Sequence, residues 1–144
     1  MYDVEKLSKM ISDIEKYFAE LNKFGLNESN IQNSEKFYAS SMAIFGILNR
    51  MIDVAEEIIL KNQLGIPQRY EEYFEVLAKN ASIDRKLAEE LKKLTKDRNI
   101  FAHAYYDLAK KDILNILKRV SNVKNFVEKV KKIINKEAGN AKKE

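Results

Sequence analysis

The stretch DRKLAEELKKLTKDRNIFAHAY, residues 84–105, decides the fold. Leu87, Leu91 and Leu94 recur at the three- and four-residue spacing of one helical face, and the same spacing runs on through Arg98 to Phe101. An arginine thus fills a slot where the periodicity asks for a core residue. Either Asp84 or Ser82 can supply the side-chain oxygen that caps the start of this helix. Upstream, Val4, Leu7, Ile11, Ile14, Phe18 and Leu21 form a second stripe between Asp3 and Phe24. Between them a long apolar segment, Phe37 to Leu60, is broken only by a sparse polar line of Asn49, Asp53, Glu56 and Glu57, which reads as a central helix. Asn62, Gly65 and Pro67 mark its end, since a glycine can take a left-handed cap and a proline disfavours helical geometry in the residue before it. Tyr70, Tyr73, Phe74 and Leu77 give a short third helix. Downstream, Ile113, Leu117, Val120, Val123, Val127, Val130 and Ile134 share one face of a single last helix from about Ala109 to Ile134. The expectation is an all-α, up-and-down bundle of four main helices plus a short extra one. Residues 1–137 form one domain, and 138–144, AGNAKKE, form a disordered basic tail.

Composition agrees. A chain of 144 residues suits one domain, and 45% apolar with 33% charged residues, one proline and four glycines favours long helices over turn-rich sheets. No apolar run approaches the roughly 20 residues needed to cross a bilayer. The opening MYDVEKLSK lacks the basic start and apolar stretch of a signal peptide, so a soluble cytoplasmic protein with no membrane partner is expected. The chain has no cysteine, which excludes disulfides, thiolate catalysis and cysteine-ligated zinc, and its lone histidine excludes a multi-histidine metal site within one chain. No metal and no cofactor is expected. The net charge of +4 is uneven: residues 1–107 carry 15 Lys/Arg and 18 Asp/Glu, whereas 108–144 carry 11 and 4. A basic last helix can track a phosphate backbone or can simply be a solvated lysine face.

The chemistry concentrates in Arg98, Asn99, His103 and Tyr105. On a helix, Asn99 and His103 lie four apart on one face, and the long side chain of Arg98 can swing across beside them. Histidine titrates near neutral pH and can move protons to and from a ribose 2′-hydroxyl, while a permanently charged guanidinium can brace charge building on phosphate oxygens. Ordinary structural roles compete with this. A lone histidine near a helix end commonly caps it or satisfies a core contact, and an arginine in a stripe commonly pairs with a carboxylate. Asp53, in the otherwise apolar central helix, is the expected partner of Arg98, and such a pair could equally orient the arginine for catalysis.

Arg98 to Tyr105 has the form R-N-x-x-x-H-x-Y, placed at the end of the fourth helix before a long final segment. In that motif, in LNRMIDVAEEII (48–59) and in YEEYFEVLAKNASIDRKLAEELKKLTKDRNIFAH (70–103), the chain resembles the HEPN-domain family, and within it the HepT-like toxins. The resemblance covers nearly the whole chain and implies a metal-independent RNA endonuclease, the toxin of a HEPN/MNT toxin–antitoxin pair. It implies a homodimer whose two motif segments face each other across a two-fold axis and form a composite cleft for RNA. Cleavage through the 2′-hydroxyl works best with one group removing a proton and another delivering one, and a dimer of single-histidine chains supplies both. By resemblance, His103 is the acid–base residue, Arg98 binds phosphate and the transition state, and Asn99 positions RNA or the histidine; Asp53, through its expected pairing with Arg98, counts with Asn99 as a supporting residue. The products would carry a 2′,3′-cyclic phosphate. Tyr105 corresponds to the tyrosine to which a partner MNT-type nucleotidyltransferase, the antitoxin, attaches AMP, although the neighbouring Tyr106 offers a second phenol. The alternative is a non-catalytic HEPN subunit that binds nucleotide or docks the nucleotidyltransferase. No sequence feature speaks to the RNA target, its base preference or the biological role.

Overall fold

A computed structural model of the chain describes residues 2–103 and 108–143, with side chains as far as residue 139. Among the described residues regular structure is helical throughout: α1 (Val4–Phe24), α2 (Ser34–Lys61), α3 (Tyr70–Lys79), α4 (Arg85–His103), α5 (Lys110–Arg119) and α6 (Ser121–Lys143). This is the all-α bundle that the periodicity predicts. Among the described residues no helix is long and apolar enough to cross a membrane.

The helix α2 is apolar nearly all round because it is the hub, touched by α1, α3, α4, α5 and α6. The stripe Leu7, Ile11, Ile14, Phe18 and Leu21 of α1 is buried, with Met10 added, and α1 packs along α2. Gly46 of α2 makes the close approach possible, since a Cβ there would lie 2.4 Å from a ring atom of Tyr17. At the centre, Phe74 of α3 meets Phe126 of α6 edge to face, with centroids 5.7 Å apart and both rings fully buried.

The ends of the helices follow side-chain and backbone chemistry. Asp3 and Asn33 accept hydrogen bonds from the Lys6 and Lys36 N–H groups, each 3.0 Å, capping α1 and α2. Of the two candidate caps for α4 it is Asp84 that serves, accepting from the Leu87 N–H at 2.8 Å. The left-handed residue after α2 is Gln63 (φ 53°), not the expected glycine, for Gly65 sits two residues on at φ 133°. The Leu64 N–H reaches the Ile59 carbonyl (3.1 Å) and the Gln63 N–H that of Leu60 (3.3 Å), the paired bonds of a Schellman ending. The end of α3 repeats this with Ala81 at φ 58°, where Ser82 N–H donates to Leu77 (2.9 Å) and Ala81 N–H to Ala78 (3.1 Å). Glu75 then ties α3 to α4 by ion pairs with Arg85, at 2.6 Å, and with Lys92. The two cations, Arg85 foremost, hold the Glu75 carboxyl down at about 2.

The expected single last helix is two. Asn122 Nδ2 donates to the Arg119 carbonyl (2.9 Å), and the Val123 N–H turns to Val120 (2.9 Å) in place of that carbonyl. The side chain of Asn122 thus competes for the bond that would continue α5 into α6. Backbone of 138–143, read from sequence as part of a tail, lies within the helical span of α6.

Candidate active site

Arg98 occupies the stripe of α4 between buried Leu94 and Phe101, yet is itself only half-buried. A guanidinium in such a slot needs partners, because an isolated buried charge is costly. Its Nε donates to Asn49 Oδ1 of α2 at 2.7 Å. Its Cζ lies 5.0 Å from the Tyr70 ring centre and 5.9 Å from that of Phe45, so aromatic rings from α3 and α2 both flank the planar cation. Phe45 in turn stacks on Phe101 of α4, centroids 5.8 Å apart. The guanidinium Nη1 also donates to Asn99 Oδ1 at 3.4 Å, and Asn99 Nδ2 donates to Glu71 Oε1 of α3 at 3.2 Å.

Asp53 is not the partner of Arg98. It pairs with Arg50 at 3.1 Å, and Arg50 also reaches Asp13 of α1 at 3.0 Å. Asn49 and Asp53 are four apart on one face of α2, and the register of α4 against α2 sets Arg98 level with Asn49, one turn earlier.

His103 is the last residue of α4 and is exposed, four residues beyond Asn99. Tyr105, together with Tyr106, lies outside the described residues. One residue before Arg98, Asp97 is 2.8 Å from Arg119 Nη2 and so joins α4 to the end of α5. Burial pushes the Asp97 carboxyl up, and the Arg119 cation works against that rise. The basic last helix is partly engaged with α1: Lys124 lies over the Phe18 ring at 4.8 Å and Lys131 pairs with Glu15 at 2.8 Å. Among the described residues no group of three or more histidine, aspartate and glutamate side chains is gathered as a metal site.

Three residues of this constellation, Phe45, Tyr70 and Glu71, escape a reading of the sequence. Phe45 and Tyr70 look like ordinary apolar positions of their helices. Glu71 looks like an ordinary acidic residue in a helix's first turn, where the helix dipole favours one.

The bundle, with Arg98, Asn99 and His103 at the end of its fourth helix, resembles HEPN domains. The profile of the Ribonuclease HepT-like family matches residues 7–130, and the chain belongs to that family. The mRNA nuclease HepT of Shewanella oneidensis is 33% identical over 81 residues, 56% of this chain and 61% of that protein, so the chain spans less than two thirds of this relative's length. Among solved structures, a tri-AMPylated Shewanella oneidensis HEPN toxin in complex with MNT antitoxin superposes with a TM-score of 0.80 at 25% identity, covering 91% of this chain and 98% of that one. A cytosolic protein of unknown function from Bacillus subtilis, YutE, gives a TM-score of 0.84 at 19% identity over 96% of each chain, a likeness of fold alone.

Proposed function

We propose that the protein is a metal-independent RNA endonuclease, the toxin of a HEPN/MNT pair in the cytoplasm, acting as a homodimer. The observation that carries this reading is the Arg98 guanidinium, tethered by Asn49 near the rings of Tyr70 and Phe45 and hydrogen-bonded to Asn99, which lies one helical turn before exposed His103. Membership of the HepT-like family and the likeness to an mRNA nuclease support it. In the reaction, His103 of one protomer accepts the proton of a ribose 2′-hydroxyl as that oxygen attacks phosphorus. The bond from phosphorus to the 5′ oxygen breaks, and the imidazolium of the other protomer's His103 delivers a proton to the departing oxygen. The products are a 2′,3′-cyclic phosphate and a 5′-hydroxyl. Arg98 stabilises the charge gathering on the phosphate oxygens, while Asn99 positions RNA or the histidine.

Control of this activity falls to a partner MNT-type nucleotidyltransferase. The Tyr105 phenol oxygen attacks the α-phosphorus of ATP, pyrophosphate leaves, and the AMP adds bulk and negative charge where RNA phosphate should sit. The tri-AMPylated toxin among the structural neighbours supports such a partner. Mass spectrometry of protein made alongside the transferase is expected to find AMP on Tyr105, and modification confined to Tyr106 would overturn that assignment.

The deciding experiment is cleavage of a labelled RNA by purified, unmodified protein in excess EDTA, beside His103→Ala. Cutting that persists in EDTA and disappears in the variant establishes the reading. If neither protein cuts, the role becomes that of a non-catalytic subunit docking the nucleotidyltransferase.

A further inference from the structure

We infer that Glu71, at the start of α3, is a positioning residue of the active site, acting through Asn99 on Arg98. The inference rests on the ribonuclease reading above. Asn99 Nδ2 donates to the Glu71 carboxylate at 3.2 Å, and Asn99 Oδ1 accepts from Arg98 Nη1 at 3.4 Å. A carboxylate accepts and cannot donate, and a guanidinium donates and cannot accept. The amide of Asn99 is therefore fixed in one sense: turning it over would set its oxygen against the carboxylate and its NH₂ against the guanidinium. The relay extends to Asn49, which accepts from Arg98 Nε at 2.7 Å. Arg98 thus donates in two directions, to Asn49 of α2 and to Asn99, and Asn99 passes the sense on by donating to Glu71 of α3.

The local sequence leaves Glu71 available for this work. Its neighbour Glu72 takes the helix-start role, accepting from the Gln68 N–H at 2.9 Å. Tyr70, the residue before, lies against the guanidinium, so the opening turn of α3 grips Arg98 through a ring and Asn99 through a carboxylate. A negative charge next to a phosphate-binding cation weakens long-range attraction for RNA. Orientation is what Glu71 contributes in exchange.

The test compares wild type, Glu71→Ala and Glu71→Gln in steady-state RNA cleavage and in NMR spectra of the Asn99 side-chain amide and the Arg98 Nε–H. Glu71→Ala is expected to lower kcat by roughly 10- to 100-fold, the scale of losing about an ångström of alignment, without raising KM. It should also shift both sets of resonances. Glu71→Gln keeps an acceptor at the same place, and should restore most of the rate and the Arg98 Nε–H position. Wild-type kcat in Glu71→Ala, or unmoved Asn99 and Arg98 signals, overturns the inference. A wild-type protein that does not cut RNA sinks the ribonuclease reading instead, and the NMR comparison still decides whether Glu71 sets the geometry of Asn99 and Arg98.

Discussion

The two halves of α4 share one stripe and do opposite things with it. Over Leu87, Leu91 and Leu94 the stripe is closed into the core, capped by Asp84 and braced from α3 by Glu75. From Arg98 onward the stripe carries a cation whose contacts are directed hydrogen bonds and ring faces, and the neighbouring face carries an amide and an exposed histidine. Burial in the first half is non-directional and contributes stability. Geometry in the second half is directional and fixes where charge can be placed. A single helix thereby joins a core face to the residues on which the proposed chemistry falls.

The division can be broken from either side. The largest effect expected is in the second half, where Arg98→Ala and His103→Ala should each lower RNA cleavage by about 10²- to 10⁴-fold. Circular dichroism should show their helicity unchanged, and parallel unfolding would mean that both halves are structural. Next, Leu91→Ala, at a fully buried position, should cost about 2–5 kcal/mol in urea unfolding. Its cleavage per folded molecule should match wild type, and a rate that falls in step with stability would erase the distinction. Asp84→Ala removes the cap and should cost about 1 kcal/mol by the same measurement, again without change in rate. The smallest effect concerns pH. The Glu75 carboxyl sits at about 2, against an ordinary 4.5, because of its hydrogen bonds to Arg85 and Lys92. The stability it contributes is therefore complete above about 4.5 and is lost as pH falls toward 2. Thermal melts of Glu75→Gln over that range should show a shallower pH dependence than wild type.

Periodicity carried most of the fold because burying a helix face is a local pattern with a global outcome. The core stripe of α1 and the turn after Leu60 were legible this way, as was the misplaced Arg98. The partner of Arg98 was not. Asn49 and Asp53 share a face of α2, and only the axial register of α4 against α2 selects between them, a quantity that no one-dimensional spacing contains. For a similar reason Glu71 left no mark, since glutamates in a first turn are ordinary and this one differs only in what α4 sets opposite it. Phe126 lies off the valine line, because the buried face of α6 is wider than a single row of valines. The division of α5 from α6 did leave a trace, in the weak helix formers Ser121 and Asn122, but the valine stripe runs unbroken across it.

The pair of rings that flank Arg98 has a thermodynamic consequence. A free arginine side chain samples many rotamers, an entropy of about 2 kcal/mol that a surface arginine gives up each time it grips a phosphate. With Nε tied to Asn49 and the guanidinium against the rings of Tyr70 and Phe45, much of that freedom has already gone when the chain folds. In the proposed reaction, an RNA phosphate would then meet a cation that loses little further disorder on contact.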